Sequence, residues 1–432
     1  GARAALGAGT QLMPNVRAWP GKTIDDGAKV TGNLQYGSAR PDFFDDDGIS
    51  GEAGVDLTPE FCARVGAAAG SLKCGSRIGV ACGGGRAAKA FKAALTAGAL
   101  STGAQVWDFG EIMETQMSFA VSFCGLPAAV FVSGGATCCL KLMGEGGLPV
   151  TRAMERELGG HLSRGEFSRC SWNSYRDVAD MSGVRLLYQQ ELYRCAPNGL
   201  SGMSASVRCP NREGERLFED TLARLGCDIG GGLILHLDSS GCSLSLSDAQ
   251  LGFVPAEKAL AMCCLTQLKQ GGDLALPFDA PRALDGLAEK YGRRVLRYLS
   301  SPADDSDREA RQAARAQLWL RDGMMSGIRL LAYLHENSAA LSDLAAEIPQ
   351  FATIMRYVEI DVPPSELMAG LEGATVEPEG VLIRRGQGSL LVRPNKRGKA
   401  LRIIAEAFDT ETARELCAGL TLPVSAADGA PN

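Results

Sequence analysis

The sequence lacks the features that mark membrane-spanning, secreted and nucleic-acid-binding proteins. It has no run of about 18 apolar residues, so no transmembrane helix is predicted. Its first residues, Gly-Ala-Arg-Ala-Ala, contain no apolar signal-peptide segment, and the absence of an initiator methionine leads us to expect a longer chain. No basic block occurs, and the formal charge is −6. A nucleic acid or an anionic membrane is therefore not expected as partner, and we expect a cytoplasmic protein.

The chain also lacks the cysteine spacings of zinc sites and disulfide frameworks. It has 14 cysteines, but no C-x-x-C, and its close pairs are the adjacent residues Cys138–Cys139 and Cys263–Cys264. A secreted disulfide framework is not expected in a chain of 432 residues. We predict that most of these cysteines are small, buried apolar residues in a reducing compartment.

What the sequence does contain begins with a segment that has its own period. Apolar side chains recur every six residues, with glycines and Pro20-Gly21 between them, at Leu6, Leu12, Ala18, Ile24 and Val30. A six-residue period with small residues between is typical of a left-handed β-helix, whose coils each contain three short strands. Five such positions make fewer than two coils, so we predict the end of a longer solenoid. A disordered glycine-rich leader is the alternative.

After Tyr36 the pattern changes to alternating helices and strands. Thr58 and Pro59 are typical of a helix N-cap and first helical residue, and they predict a helix to about Ser71. Apolar runs predict strands at 78–81, 104–109, 128–132, 233–237, 274–277, 295–298, 389–392 and 401–405. Helices are predicted at 87–97, 217–225, 256–268, 284–291 and 410–420, with a helix-rich stretch at 307–344. Such alternation indicates α/β domains with largely parallel sheets.

Several segments form an ordered set of motifs. Phe44-Asp45-Asp46-Asp47-Gly48-Ile49-Ser50-Gly51 comes first, and Pro277-Phe278-Asp279-Ala280-Pro281 and Arg321-Asp322-Gly323-Met324 follow. Val392-Arg393-Pro394 stands near the C-terminus. In order and spacing these segments resemble the motifs of the α-D-phosphohexomutases, the phosphoglucomutase and phosphomannomutase family, over nearly all of residues 37–422.

The resemblance implies an α/β architecture of four domains around a central cleft. Three domains would have mixed or parallel sheets, and a smaller α+β domain would carry the phosphate loop. With the hexad segment 1–36 in front, the predicted domains are 37–150, 151–255, 256–352 and 353–432. Some bacterial chains fuse a sugar nucleotidyltransferase, a short left-handed β-helix and a mutase-like unit, and this sequence resembles the C-terminal part of such a fusion.

The family transfers phosphate through a phosphoserine in a T-A-S-H-N-P loop. The matching stretch, Ser133-Gly134-Gly135-Ala136-Thr137-Cys138, has Gly135 at the serine position. Ser133 and Thr137 could substitute, but each lies two residues away, about 7 Å in an extended chain. Phosphoryl transfer is sensitive to misplacement by about 1 Å. Lys141 stands where the family also has a lysine. We therefore predict no definite nucleophile, with Ser133, Thr137 and Lys141 as the residues to examine.

The family's metal loop, D-G-D-G-D-R, corresponds to Asp238-Ser239-Ser240-Gly241-Cys242-Ser243. One carboxylate of three remains. Magnesium prefers oxygen ligands and is usually bound through carboxylates, so Asp238 and Ser240 form a remnant of a site at best. We expect no cofactor, and magnesium only if residual family chemistry survives. His236 is expected to be structural.

The family's remaining loops are altered as well. Its G-R-D-T-R stretch is replaced by Ala81-Cys82-Gly83-Gly84-Gly85, and its G-E-x-S-G sugar loop is not found. The phosphate loop, R-P-S-G-T-E-P, corresponds to residues 393–399 and still has four cations. This loop is the best candidate for binding a hexose phosphate, through Arg393, Asn395, Lys396, Arg397 and Lys399. A charged, exposed turn is the alternative.

The joint loss of nucleophile, metal loop, arginines and sugar loop favours one functional hypothesis. The chain would be a phosphohexomutase-like module of carbohydrate or sugar-nucleotide metabolism that has lost mutase activity and acts as a scaffold or phosphosugar-sensing domain. The alternative is an active phosphoglucomutase or phosphomannomutase, an intramolecular phosphotransferase with relocated Ser133 or Thr137. A third hypothesis places catalysis in a fused or associated sugar nucleotidyltransferase that residues 37–432 complete. A homo-oligomer is also expected.

Overall fold

The computed structural model describes residues 1–30, 34, 43–72, 77–304, 306–360, 363–386, 388–396 and 400–420. The chain divides into two compact units, Gly1–Arg185 and Leu186–Asn432. Within the described ranges, no helix combines the length and the apolar character that crossing a membrane would need.

The first unit begins with four two-residue strands, β1 (Ala5–Leu6), β2 (Gln11–Leu12), β3 (Thr23–Ile24) and β4 (Lys29–Val30). β1 pairs with β3 and β2 with β4, both in parallel. Ala5 faces Thr23 and Gln11 faces Lys29, an offset of 18 residues in each pair. The side chains of Ile24 and Val30 are buried, whereas Leu6 and Leu12 are exposed. The six-residue period of the sequence therefore corresponds to short strands stacked on one another.

Helices and strands alternate in the rest of the first unit, as the sequence predicts. The elements are β5 (Ile49–Glu52), α1 (Pro59–Ser71), β6 (Arg77–Cys82), α2 (Arg86–Leu100), β7 (Gln105–Glu111), α3 (Glu114–Phe123), β8 (Ala128–Val132), β9 (Thr137–Gly144), α4 (Arg152–Arg164) and β10 (Ala179–Asp180). They form a mixed sheet in the order β10-β7-β6-β8-β9-β5. The strands from β10 to β8 are parallel, and β9 runs antiparallel to both β8 and β5.

The start of α1 confirms the helix signal read from the sequence. Pro59 occupies the first turn, and the Thr58 hydroxyl accepts a hydrogen bond from the Phe61 N–H at 3.3 Å. An N-cap of this kind satisfies one of the backbone donors that have no partner within the helix. The apolar face of α1 then packs on the sheet core through Cys62 and Val65.

The second unit starts with α5 (Val184–Arg194), which crosses the boundary between the units. A mixed sheet and its helix follow: β11 (Ser204–Arg208), α6 (Arg212–Arg224), β12 (Asp228–Ile229), β13 (Leu233–Leu237), β14 (Leu244–Asp248) and β15 (Gly252–Val254). The strand order is β12-β11-β13-β14-β15. The pairs β12/β11 and β11/β13 are parallel, and the other two pairs are antiparallel.

A helix-rich segment with a parallel strand pair comes next. It comprises α7 (Ala256–Lys269), β16 (Leu274–Pro277), α8 (Ala283–Lys290), β17 (Val295–Tyr298), α9 (Arg308–Ala316), α10 (Gly323–Glu336) and α11 (Leu341–Glu347). Asp322, which belongs to one of the quoted motifs, is buried and caps α10. It accepts the N–H groups of Met324 and Met325 and also the Tyr188 hydroxyl. This motif therefore has a structural role in the chain.

The last sheet is antiparallel throughout. Its elements are β18 (Ala352–Glu359), α12 (Pro364–Ala369), β19 (Ala374–Glu377), β20 (Gly380–Arg385), β21 (Gly388–Pro394), β22 (Ala400–Ala407) and α13 (Thr410–Ala418), with strand order β18-β22-β21-β20-β19. Alternation along β22 gives the sheet two different faces. Leu401 and Ile403 point toward the core that includes α13, whereas Ile404 packs with Phe278 and Leu299 near the β16/β17 pair.

Candidate functional site

The loop in which the sequence resemblance places the family's serine joins β8 to β9. Ser133 closes this hairpin, because its N–H donates to the Cys139 carbonyl and its Oγ accepts from the Cys139 N–H, both at 2.8 Å. The next four residues, 134–137, are exposed. The Ser133 hydroxyl therefore serves as an acceptor within the turn, whereas Thr137 lies exposed at the first residue of β9.

The backbone of this loop is suited to glycine. A Cβ on Gly134 would lie 1.8 Å from the carbonyl oxygen of Gly84, in the glycine-rich loop before α2. Gly135 has a φ of +131°, a conformation that L side chains rarely adopt. A serine at position 135 would therefore be strained, in addition to the chemistry that it would have to restore. The two altered loops, 83–85 and 133–137, lie against each other through their backbones.

The adjacent cysteines of β9 are not alternative nucleophiles. Cys138 and Cys139 are buried, and burial raises the pKa of both thiols, that of Cys139 to about 12. The reactive form of a cysteine is the thiolate, which is scarce at neutral pH when the pKa is so high. The sequence prediction that these residues fill space is consistent with this placement.

Lys141, the lysine at the family's lysine position, forms an ion pair within the first unit. Its Nζ lies 3.0 and 2.8 Å from the two carboxylate oxygens of Glu114, the first residue of α3. Burial opposes the charge of Lys141, but the interactions with Glu114 and then Asp47 outweigh it, so the pKa of Lys141 is raised. Sequence reasoning missed Glu114, because no local pattern links it to a lysine 27 residues away.

The loop at the family's metal position is a tight turn between β13 and β14. One carboxylate oxygen of Asp238 accepts the Ser243 N–H at 2.9 Å, and the other accepts both the N–H and the hydroxyl of Ser240. Magnesium requires about six oxygen ligands, of which carboxylates are the usual protein contribution. Within the described ranges, no group of three or more His, Cys, Asp and Glu residues is arranged to hold a metal ion. The residues of this loop therefore do not fit a magnesium ion.

His236 precedes this turn on β13 and takes part in ordinary packing. Its Nε2 lies 2.9 Å from the Ser247 hydroxyl on β14, and its ring meets the Phe253 ring edge-on at 6.0 Å. These contacts agree with the structural role expected for His236.

Arg393, the first residue of the candidate phosphate loop, belongs to an ion-pair cluster of the second unit, with 12% of its side chain exposed. Its Nη2 lies 2.7 Å from Glu379 Oε2, and its Nη1 lies 3.2 Å from Asp279 Oδ2. Arg402 approaches the same Asp279 oxygen at 3.1 Å. Both charges of the arginine pair are thus balanced by carboxylates of the chain itself.

Two other candidate phosphate-binding residues that the structure describes, Asn395 and Lys396, follow β21. The Asn395 N–H donates to the Ala400 carbonyl at 2.9 Å and so helps to close the turn between β21 and β22. Lys396 follows it and is partly exposed. Arg397 and Lys399 lie outside the described residues, so the structure places only Arg393, Asn395 and Lys396 of the predicted set.

Glu379 is the member of this ion-pair cluster that sequence reasoning missed. It precedes β20, and its carboxylate is almost fully buried. Oε1 accepts the N–H groups of Ser300 and Ser301 at 2.6 and 3.0 Å, and Oε2 accepts the Ser300 hydroxyl at 3.1 Å. No local pattern predicts this contact, because the acidic segment Glu377-Pro378-Glu379 is typical of a solvent-exposed hairpin turn.

Comparison with known proteins identifies a common architecture and related sequences. The profile of the phosphoglucomutase/phosphomannomutase α/β/α domain I matches residues 42–169. Probable phosphoglucosamine mutases of Methanopyrus kandleri and Thermococcus kodakarensis are each 24% identical to this chain, over 87% of its length and 96% of theirs.

Solved structures show the same fold. A phosphoglucomutase/phosphomannomutase family protein from Burkholderia thailandensis superposes with a TM-score of 0.68 at 16% identity, covering 88% of this chain and 99% of that one. A putative phosphomannomutase from Thermus thermophilus gives 0.65 at 17% identity, with the same coverage. The α/β architecture of several sheets with an antiparallel C-terminal sheet is shared with these proteins. Residues 42–169 thus match the phosphoglucomutase/phosphomannomutase family, and the chain as a whole shares the fold of these proteins.

Proposed function

We propose that this member of a sugar-phosphate-metabolising family has lost mutase activity and acts as a scaffold or phosphosugar-sensing domain. The observation that carries the proposal is the loop at 133–137. Gly135 stands at the serine position with a backbone that disfavours any side chain, and Gly134 touches the Gly84 carbonyl. A family that works through a phosphoserine requires a hydroxyl at this point, and the chain instead has a glycine in a conformation suited to glycine.

The turn at Asp238 supports the same proposal. Phosphoryl transfer needs a cation to neutralise the developing charge, and carboxylates must hold that cation. Both oxygens of the only carboxylate in this loop already accept hydrogen bonds from the loop itself. The glycine at 135 and the single carboxylate at 238 lie far apart in the sequence, and together they favour a chain no longer constrained by catalysis.

Intact-mass measurement after incubation with glucose 1,6-bisphosphate and magnesium tests the proposal directly. We expect no phosphorylated form. A stable gain of one phosphoryl group, lost in Ser133→Ala or Thr137→Ala, would contradict the proposal and establish the alternative, an active mutase with a relocated nucleophile. Exposure of Thr137 favours it over Ser133 as that nucleophile, because the Ser133 Oγ already accepts the Cys139 N–H.

Calorimetric titration with sugar phosphates distinguishes the sensing role from the scaffold role. The names of the sequence relatives suggest a hexosamine phosphate as the first ligand, and glucose and mannose phosphates complete the panel. Binding without turnover supports a sensor, and absence of binding supports a scaffold. The scaffold role predicts an associated sugar nucleotidyltransferase, and a pull-down from cells with the intact chain as bait tests it.

The proposal extends to residues 1–36, which we infer to be terminal coils of a left-handed β-helix. Parallel pairing at an offset of 18 residues supports it, because three hexapeptides make one coil. Replacement of the buried Ile24 by Asp should expose this segment to proteases, and Asp25→Asn is the adjacent control. If the two variants are cleaved equally fast, residues 1–36 do not depend on a coil interior.

A further inference from the structure

Four hydrogen-bond donors converge on one buried carboxylate in the second unit. They are the Ser300 and Ser301 N–H groups, the Ser300 hydroxyl and the Arg393 guanidinium, and all four lie 2.6 to 3.1 Å from the oxygens of Glu379. The Glu379 side chain is only 3% exposed. Adjacent backbone N–H groups combined with an arginine form a set of donors that proteins commonly use for phosphate as well as for carboxylate.

Glu379 balances the net charge of the ion-pair cluster around Arg393. Arg393 and Arg402 provide two positive charges, and Asp279 and Glu379 provide two negative ones. Without the carboxylate at 379, the cluster would have a net positive charge, since Asp279 is shared between both arginines. A buried uncompensated cation strongly favours an anion from solvent.

We propose that Glu379 is an internal ligand: its carboxylate fills an anion site built by Arg393, Ser300 and Ser301, and so excludes phosphomonoesters from it. Glu379 stands at the end of the β19–β20 hairpin, directly after the exposed Pro378. The carboxylate therefore reaches the site from a turn. Such a contact is autoinhibitory, because the phosphate of a ligand must compete with a group that is always present.

We expect the C-terminal sheet to stay anchored when Glu379 is changed, because other contacts hold it. The Glu406 carboxylate accepts the N–H groups of Arg282 and Ala283, both at 2.6 Å, at the start of α8. Leu382 and Leu391 pack with Phe278 and Leu299 in a small apolar cluster. Substitution of Glu379 is thus expected to open the anion site while the sheet remains in place.

The test is a titration of the intact chain with inorganic phosphate, in which thermal unfolding and calorimetry measure the binding. The variants are Glu379→Gln, which keeps the shape of the side chain, and Glu379→Ala, which vacates the site. Glu372→Gln is the matched control, because Glu372 lies exposed in the turn before β19. We expect a phosphate affinity at least roughly tenfold higher for both Glu379 variants than for the wild type, since apparent affinity scales with the fraction of open sites. Addition of Arg393→Met should abolish the gain.

Two results would overturn the proposal. One is a folded Glu379→Gln protein, by circular dichroism, that binds phosphate no more tightly than Glu372→Gln. The other is a gain that persists in Glu379→Gln/Arg393→Met, which would place the anion elsewhere. If Glu379→Ala does not fold, the Gln variant decides alone. The inference rests on the proposed sensing role and deepens it. The two proposals can fail separately, because phosphate titration tests the role of Glu379 and intact mass tests the loss of phosphoryl transfer.

Discussion

The loop at 133–137 and the cluster around Arg393 depart from the family in opposite ways. In the first, the resemblance places Gly135 at the serine position; Gly135 has a positive φ, and a Cβ on Gly134 would clash with the Gly84 carbonyl. In the second, the cation that would hold a phosphate is present, but carboxylates of the same chain already satisfy it. On our proposal, the first region has no reacting group, whereas the second has the cation together with carboxylate partners from the same chain.

The difference shows that a motif residue can be present in the sequence and still be unavailable to a ligand in the structure. A glycine at a nucleophile position can be read from sequence, because no side chain can react there. A retained arginine cannot be read in the same way, because its availability depends on neighbours that fold against it. Arg393 matches the family position, yet its guanidinium is bound to residues that precede it in sequence by 14 and 114 positions.

The largest expected effect comes from removing the cation of the second region. Arg393→Met leaves Glu379 buried and without its charged partner, and breaking a buried ion pair in this way costs about 3–5 kcal/mol of unfolding free energy. Urea unfolding followed by circular dichroism measures the loss. The control is Arg384→Met on the neighbouring strand β20, where the arginine is exposed. That change should stay within about 0.5 kcal/mol. Equal costs for the two variants would mean that Arg393 is not held as the contacts indicate.

A smaller effect is expected in the loop at 133–137, where the substitution tests a steric contact and changes no charge. Gly134→Ala places a Cβ against the Gly84 carbonyl, so the two loops must separate, at a cost of about 1–3 kcal/mol. Gly183→Ala is the control, since a Cβ there meets no atom within 4 Å and the backbone has no positive φ. Thermal unfolding compares the two. A neutral Gly134→Ala would show that the contact between the loops is not required.

The sequence predicted the elements better than it predicted the contacts. Thr58 and Pro59 placed the start of α1 correctly, and the apolar runs at 389–392 and 401–405 fall inside β21 and β22. Such signals are local: they need a cap, a turn residue or a period of two. Glu379 and Glu114 were missed because their importance depends on Ser300 and Lys141, which lie 79 and 27 residues away in the chain. No local pattern reports on such pairing.

The ion pair between Lys141 and Glu114 offers a second test of the first region, because Lys141 lies on β9, directly after the loop at 133–137. Lys141→Met leaves Glu114 partly buried and without its partner, and should cost about 1–2 kcal/mol at neutral pH. The folded-state pKa of Lys141 is raised, so its contribution is complete below the unfolded value of about 10.4 and is lost as pH rises through the folded pKa. Thermal unfolding of wild type and variant between pH 7 and 11 should therefore show a difference that shrinks at the alkaline end.

Lys89→Met is the matched control for that measurement. Lys89 pairs with Glu111 at 2.6 Å, but its side chain is 57% exposed. Solvent screens such pairs, so the change should cost less than about 1 kcal/mol. If Lys141→Met costs no more than Lys89→Met, the retained lysine has no greater structural role than a surface residue.

The smallest effect is expected at the turn that contains Asp238, between β13 and β14. The Asp238 carboxylate accepts hydrogen bonds from Ser240 and Ser243 of its own loop, and the residue is exposed, so Asp238→Asn should change the unfolding free energy by about 1 kcal/mol or less. Millimolar magnesium should raise the melting temperature of neither protein, because a ligand stabilises a fold only when it binds the folded state. A magnesium-dependent rise in the wild type that Asp238→Asn removes would show that one carboxylate and its serine neighbours hold the ion after all. The turn at Asp238 would then resemble the site at Arg393, because each would contain a group that can bind a ligand.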